Sequence, residues 1–199
     1  MIIIGILYEG EYDFGPLKKL VEKIFCERLS IKPEEIKFLE FCAYGPTGDK
    51  LLPACTFFME GIILGKPQTD IIVFHSDLDY KEDARAERIK ERDSYIQNHP
   101  GTHIALALPN PNLEAWFFAE IDSLITYFKF SNGIPYQDIE DKKKRLKNII
   151  REYGDITLTS QDIYTELANH LDIKKLCTRD SNFRYFVDDL INVYKASLN

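Results

Sequence analysis

Two apolar runs, each ending in a pair of acids, constrain this chain more than any other feature. Ile2-Ile3-Ile4-Gly5-Ile6-Leu7-Tyr8 runs into Glu9-Gly10-Glu11, and Asp70-Ile71-Ile72-Val73-Phe74-His75-Ser76 runs into Asp77-Leu78-Asp79. A continuous apolar run of this length reads as a strand buried on both faces of a parallel sheet. In open α/β sheets, ligands bind beyond the carboxyl ends of such strands. Carboxylates gathered there repel one another, and a hard divalent cation relieves the repulsion. The expectation is a sheet edge built to hold a metal.

The rest of the first 120 residues supports a sheet. After the strand at 2–8, Asp13 or Gly15 opens a helix carrying Leu17, Leu20, Val21, Ile24 and Phe25 at helical spacing. Ile36 to Cys42 reads as a second strand. Gly45-Pro46-Thr47-Gly48 is a turn cluster, and Leu51, Leu52, Cys55, Phe58, Met59 and Ile62 form the inner stripe of a second helix. A third strand spans 70–76, and a charged helix runs from about Lys81 to Asn98. Thr102 to Leu108 is a fourth strand, and Asn112 is a candidate N-cap for a short helix through Trp116. This β-α-β-α-β-α-β-α order predicts an α/β fold, a mostly parallel four-stranded sheet flanked by helices. Beyond residue 120 no strand is expected. Helical segments at 136–153, 160–169 and 181–196, joined through 154–155 and 172–179, suggest an all-helical C-terminal extension over 121–199, packed on an α/β domain of 1–120.

Composition narrows the function classes. The 199 residues carry a formal net charge of −7, which argues against non-specific adhesion to nucleic acid but not against catalysis on it. No apolar run reaches the length of a membrane span, and no signal-peptide pattern opens the chain, so no membrane partner and a cytoplasmic location are expected. Cys26, Cys42, Cys55 and Cys177 lack metal-ligand spacing and read as small, buried, reduced residues.

Asp77 and Asp79 alternate along an extended segment and so are expected to face one side of a strand end. With Glu9 at a neighbouring strand end, three carboxylates would converge on one ion. A lone Asp-x-Asp equally starts a turn or caps a helix; its place after a buried strand, matched by Glu9-Gly10, favours the site. Gly10 permits a sharp turn or the close approach of a phosphate. Glu11 and Asp13 are either acids that support the metal-binding carboxylates from behind or first-turn helix acids, and the structural reading is preferred. Arg85, Arg88 and Arg92 share one helix face and are candidates for substrate-phosphate contacts, against the plainer reading of a solvated face. Lys142-Lys143-Lys144-Arg145 with Lys147 is the only dense basic run, a candidate nucleic-acid patch against the plainer reading of an exposed helix. Trp116, Phe117, Phe118, Tyr153, Phe183, Tyr185 and Phe186 read as core.

The strand–Glu9-Gly10 element, two βα units and the strand–Asp77-x-Asp79 element together resemble the Toprim domain of topoisomerases, bacterial primases, OLD-family nucleases and recombination-repair proteins. The segment Leu106 to Trp116, with Pro109-Asn110-Pro111-Asn112-Leu113-Glu114-Ala115-Trp116, and Ser181-Asn182-Phe183 in the tail, resemble small standalone Toprim-like proteins of the RloB type, associated with bacterial restriction and anti-phage loci. The resemblance implies a Rossmann-like fold and Glu9 as the catalytic glutamate. It also implies Asp77 and Asp79 as metal-binding aspartates, Mg²⁺ or Mn²⁺ as cofactor, and nucleic acid as substrate. Glu114 is either an additional metal ligand or a first-turn helix acid. His75 departs from the apolar Toprim strand, and a single histidine on a strand is more often structural. The leading expectation is a Mg²⁺-dependent nuclease. A non-catalytic subunit beside a partner ATPase, phosphoryl transfer on a small nucleotide, and a homodimer stay open.

Overall fold

The structure is a computed structural model and describes residues 1–8, 10, 12–42, 69–81 and 83–198. Elements are numbered here in chain order among those residues. Strands β1 (Ile2–Tyr8), β2 (Ile36–Cys42), β3 (Ile71–His75) and β4 (Ile104–Ala107) form one sheet in the order β2-β1-β3-β4. Every pairing is parallel. All four carboxyl ends therefore lie along one edge, and β1 and β3, whose acids drew attention, are immediate neighbours. The turn cluster at 45–48 and the helix expected at 51–62 lie outside the described residues, as do Glu9 and Glu11.

Strand alternation sorts the apolar residues into two layers. Ile4, Ile6, Tyr8, Ile71, Val73, Ala105 and Ala107 point to one face, under α1 (Phe14–Leu29) and most of the later helices. Leu7, Ile72, Phe74, Ile104 and Leu106 point to the other, against Ala84, Ile89, Tyr95 and Ile96 of α2 (Ala84–Asn98). The runs are apolar throughout because both faces are covered.

The tail is all-helical among the described residues. After α3 (Glu114–Ala119) come α4 (Ile121–Phe128), α5 (Lys142–Tyr153), α6 (Ser160–His170), α7 (Ile173–Arg179) and α8 (Ser181–Ser197). Leu146, Ile149, Ile163, Leu167, Leu176, Phe183, Phe186 and Leu190 join the same core as α1 and β1. Four of these helices are started by side chains. Asp141 accepts from the Lys144 amide, Thr159 from Asp162, Asp172 from Lys175, and Asp180 from Phe183.

Several sequence expectations change here. The stretch 172–179, read as a connection, contains α7, which Asp172 caps. Helix α4 was not anticipated. The helix expected from 136 begins at Lys142, where Asp141 supplies the cap. Asn112 does not cap α3 through its side chain; Leu113 holds the N-cap position without a side-chain bond. Tyr153 is 45% exposed, so it is no core residue, although its ring packs edge-on against Phe130. Cys26 and Cys177 are free thiols that are only partly buried. No helix among the described residues is long and apolar enough to cross a membrane.

Candidate active site at the carboxyl edge of the sheet

The carboxyl edge is assembled from four segments. The β1–α1 turn brings Gly10 and Asp13. The Gly10 amide donates to Asp13 Oδ2 at 2.8 Å, and the Asp13 amide donates to the Gly10 carbonyl at 3.1 Å. A Cβ at Gly10 would stand 2.5 Å from that same carboxylate oxygen, so a side chain there would push Asp13 off the Gly10 amide. Asp13 occupies the N-cap position of α1 yet makes no cap bond there, because its side chain is turned back to Gly10 and toward β3.

Strand β3 brings His75, the last residue before the loop. Its odd position puts the ring on the α1 side of the sheet, where it is 1% exposed. Nδ1 lies 3.3 Å from Asp13 Oδ2, and Nε2 lies 3.5 Å from Asp77 Oδ1. Burial alone would push the imidazole down, but the two carboxylates outweigh it and hold His75 well above its ordinary value of 6.5. Burial would conversely raise Asp13, and His75 with the Gly10 amide brings it below its ordinary value. The strand ends in an Asp–His–Asp series spanning two neighbouring β-strands.

The loop after β3 is pinned to the loop after β4. Leu78, Asp79 and Tyr80 amides donate to the Pro109 carbonyl, the Pro111 carbonyl and Asn110 Oδ1 at 3.0, 3.0 and 3.1 Å. This extends the β3–β4 contact past the end of the ladder. Leu78 turns into the core on the α2 side, while Asp77 remains at the edge. Asp79 and Tyr80 have φ of 50° and 63°, a left-handed stretch that carries Asp79 into solvent. The extended alternation expected for Asp77 and Asp79 therefore stops at Leu78. Among the described residues the Asp79 carboxylate has no hydrogen-bond or ion-pair partner.

Glu114, in the first turn of α3, is 4% exposed and accepts a hydrogen bond from the Tyr164 hydroxyl at 2.8 Å. Burial raises its carboxyl above the ordinary value; the Tyr164 hydroxyl and Lys143 pull it back, and Asp77 pushes it further up. Burial, with Glu114 beside it, raises Tyr164 strongly. The Asp77 charge thus reaches Glu114 at the edge. Lys143, from the basic run of α5, is the cation that acts on both Glu114 and Asp13.

The arginines of α2 are engaged elsewhere. The Arg85 guanidinium lies over the Tyr185 ring at 4.4 Å, and Arg88 pairs with Glu91 at 2.9 Å. Arg92 pairs with Asp93 and, at 2.7 Å, with Asp189 of α8. They share a face, as the spacing predicts, and that face meets α8 through Tyr185 and Asp189. Sequence reasoning weighs Asp13 as a supporting acid but prefers a helix role, and it passes over Tyr164. Only the composition of the basic run hinted at Lys143, and nothing local marks Tyr164, whose partner lies 50 positions away.

A divalent cation needs few protein ligands here. Magnesium commonly takes one or two carboxylates and completes its shell with water and substrate phosphate. Among the described residues no three His, Cys, Asp or Glu side chains stand together as a metal cluster. The donors at the edge are carboxylates, the type that suits a hard ion, and Asp77 and Glu114 come from adjacent strand ends. This set fits a cation held by one or two carboxylates and does not by itself form a closed cage.

Comparison with known proteins gives little to lean on. No family model matches the chain, and no solved structure matches it. An adenosine 5'-phosphosulfate reductase of Bacillus subtilis is 38% identical over 79 residues, covering 36% of this chain and 31% of the reductase. A second such reductase, from Bacillus velezensis, is 36% identical over 89 residues, covering 41% of this chain and 36% of its own length. The chain thus spans about a third of the length of these curated relatives, and the likeness is confined to a segment.

Proposed function

We propose that this chain is a Mg²⁺- or Mn²⁺-dependent phosphodiesterase of Toprim type that cleaves nucleic acid, and that it serves in anti-phage or restriction-type defence. One observation carries the reading. Carboxylates that follow adjacent parallel strands, Asp77 after β3 and Glu114 after β4, lie at the carboxyl edge of the sheet, close enough that the Asp77 charge raises Glu114. Two carboxylates that remain together despite this repulsion are a place where a cation lowers the energy.

In this reading Asp77 and Glu114, with Glu9 from the end of β1, would hold the ion. Once bound, such an ion positions a scissile phosphate, offsets developing charge and lowers the pKa of an attacking water. The chain's own groups do the rest. Lys143 stands where it offsets negative charge at Asp13 and Glu114, and it is the cation suited to meet a phosphate oxygen at this edge. Tyr164 keeps Glu114 oriented, and Glu9 is the expected general base. Gly10 and its amide keep the β1–α1 turn close to the strand end. Arg85 and Arg88, proposed phosphate contacts on sequence grounds, would have to leave Tyr185 and Glu91 to reach a substrate.

The test is cleavage of DNA and RNA with Mg²⁺ or Mn²⁺, comparing wild type with Asp77→Ala and with an Asp77→Ala/Asp79→Ala double variant. Calorimetric titration of each metal into the same proteins accompanies it. Cleavage by wild type alone, with metal binding lost in the variants, is the expected result. Full activity in Asp77→Ala would remove the assignment.

A further inference from the structure

The carboxyl edge contains one group that the proposed chemistry does not use, the fully buried imidazole of His75. Both its nitrogens face carboxylates, Asp13 Oδ2 at 3.3 Å and Asp77 Oδ1 at 3.5 Å. Among the described residues neither nitrogen reaches hydrogen-bond geometry with a partner. Position 75 lies on the α1 face of β3, in a layer otherwise made of Ile71 and Val73. An aliphatic residue would fill that layer without the cost of burying a polar ring. Directly across, His75 pairs in register with Ala107, whose small side chain leaves room for the ring. Asp13 is itself fixed by the Gly10 amide at 2.8 Å. A continuous series therefore runs from the backbone just after β1, through Asp13 and His75, to Asp77 beyond β3.

We propose that His75 is a positioning residue: its ring ties the β1–α1 turn to the end of β3 and sets where Asp77 stands relative to the segment that follows β1. The consequence for metal affinity rests on the reading of this edge as a metal site; the tie itself does not. Groups that orient ligands commonly cost 10- to 100-fold in metal affinity when removed. The imidazole would act through the two aspartates, with no contact of its own to substrate.

The test uses His75→Phe, which keeps ring volume but removes both nitrogens, and His75→Gln, which restores one polar terminus. Asp13→Asn keeps an acceptor for Gly10 and weakens the link to His75. Two readouts are followed in the full chain with cooperative thermal unfolding checked: amide hydrogen exchange at Gly10, and Mn²⁺ affinity by calorimetry. In His75→Phe, Gly10 exchange is expected to quicken about tenfold and Mn²⁺ affinity to fall about tenfold, with partial recovery in His75→Gln. A ring that merely fills space would show no recovery. Wild-type exchange and wild-type Mn²⁺ affinity in a folded His75→Phe protein overturn the inference. If His75→Phe does not fold, the same two readouts in Asp13→Asn decide. If wild type itself binds no Mn²⁺, the metal reading fails, and Gly10 exchange alone upholds or overturns the tie.

Discussion

Two buried charge arrangements in this molecule use the same ingredients and differ in how completely they are satisfied. At the edge of β4, Asp189 of α8 receives Arg92 Nη1 on both oxygens, at 2.7 and 2.9 Å, and accepts the Leu106 amide at 2.9 Å. Burial pushes Asp189 up against the pull of Arg92, and the backbone amide helps hold the charge. At the carboxyl edge, His75 lies between Asp13 and Asp77 at 3.3 and 3.5 Å, with no hydrogen bond of good geometry on either nitrogen. The first arrangement is saturated and has nothing left to give a ligand. The second sets an imidazole between two carboxylates without a hydrogen bond to either, among the described residues. A saturated buried pair fixes structure, and an open one marks a place where something else binds.

The largest expected effect tests the saturated side. Asp189→Ala would take the buried partner from Arg92 and the acceptor from the Leu106 amide and cost about 3 kcal/mol in urea-induced unfolding. Asp77→Ala would change stability by less than about 1 kcal/mol while removing metal binding. Equal destabilisation by both would erase the distinction between the two regions.

The next concerns pH. His75 is raised in the folded state, so its pairing contributes in full below 6.5 and is lost as pH rises through the folded value. Asp13 is lowered, so its contribution is present above 3.8 and lost as pH falls through its folded value. The melting-temperature advantage of wild type over His75→Phe should therefore be greatest between pH 3.8 and 6.5 and shrink on both sides. An offset that stays constant from well below pH 3.8 to well above pH 6.5 would show that the ring is not paired as described.

Tyr164→Phe removes a single hydroxyl from Glu114 and should cost about 1 kcal/mol in the same unfolding assay. It should also move the Glu114 carboxyl further up in a carbon-detected NMR titration, because the hydroxyl now holds it down. An unmoved titration would detach the helical tail from the site. The smallest effect belongs to Arg85→Ala, about 0.5 kcal/mol from the lost contact with Tyr185. A loss of nucleic-acid affinity without that stability change would instead return Arg85 to the role of phosphate contact.

The sheet edge was legible because β1 and β3 are buried on both faces, which writes them as unbroken apolar runs bounded by acids. The bounds of β1 follow directly from that pattern; those of β2, an edge strand with Lys37 and Glu40 exposed, follow from the Pro33 break before it. Helices α4 and α7 were not legible, since one or two turns carry too few periods to stand out. Within the site, Asp77 and Glu114 could be marked from their positions after strands. Asp13 could not, because a first-turn acid ordinarily serves its own helix, and here it turns back to Gly10 and across to β3. Tyr164 and Lys143 reach the edge only through the packing of the tail, which no local spacing encodes. His75 stood out as a polar residue in an apolar run, and its meaning depended on knowing what lay on either side.

The bond from the Leu106 amide to Asp189 reaches beyond stability. The Ile72 and Ser76 amides donate to the carbonyls of His103, just before β4, and of Ala107 within it, so the Leu106 amide points away from the sheet. It is the donor an incoming strand would seek, and a charged side chain from α8 already occupies it. Growth of the sheet by strand addition is thus closed on the β4 side, and self-association by that route would have to displace a carboxylate locked to Arg92.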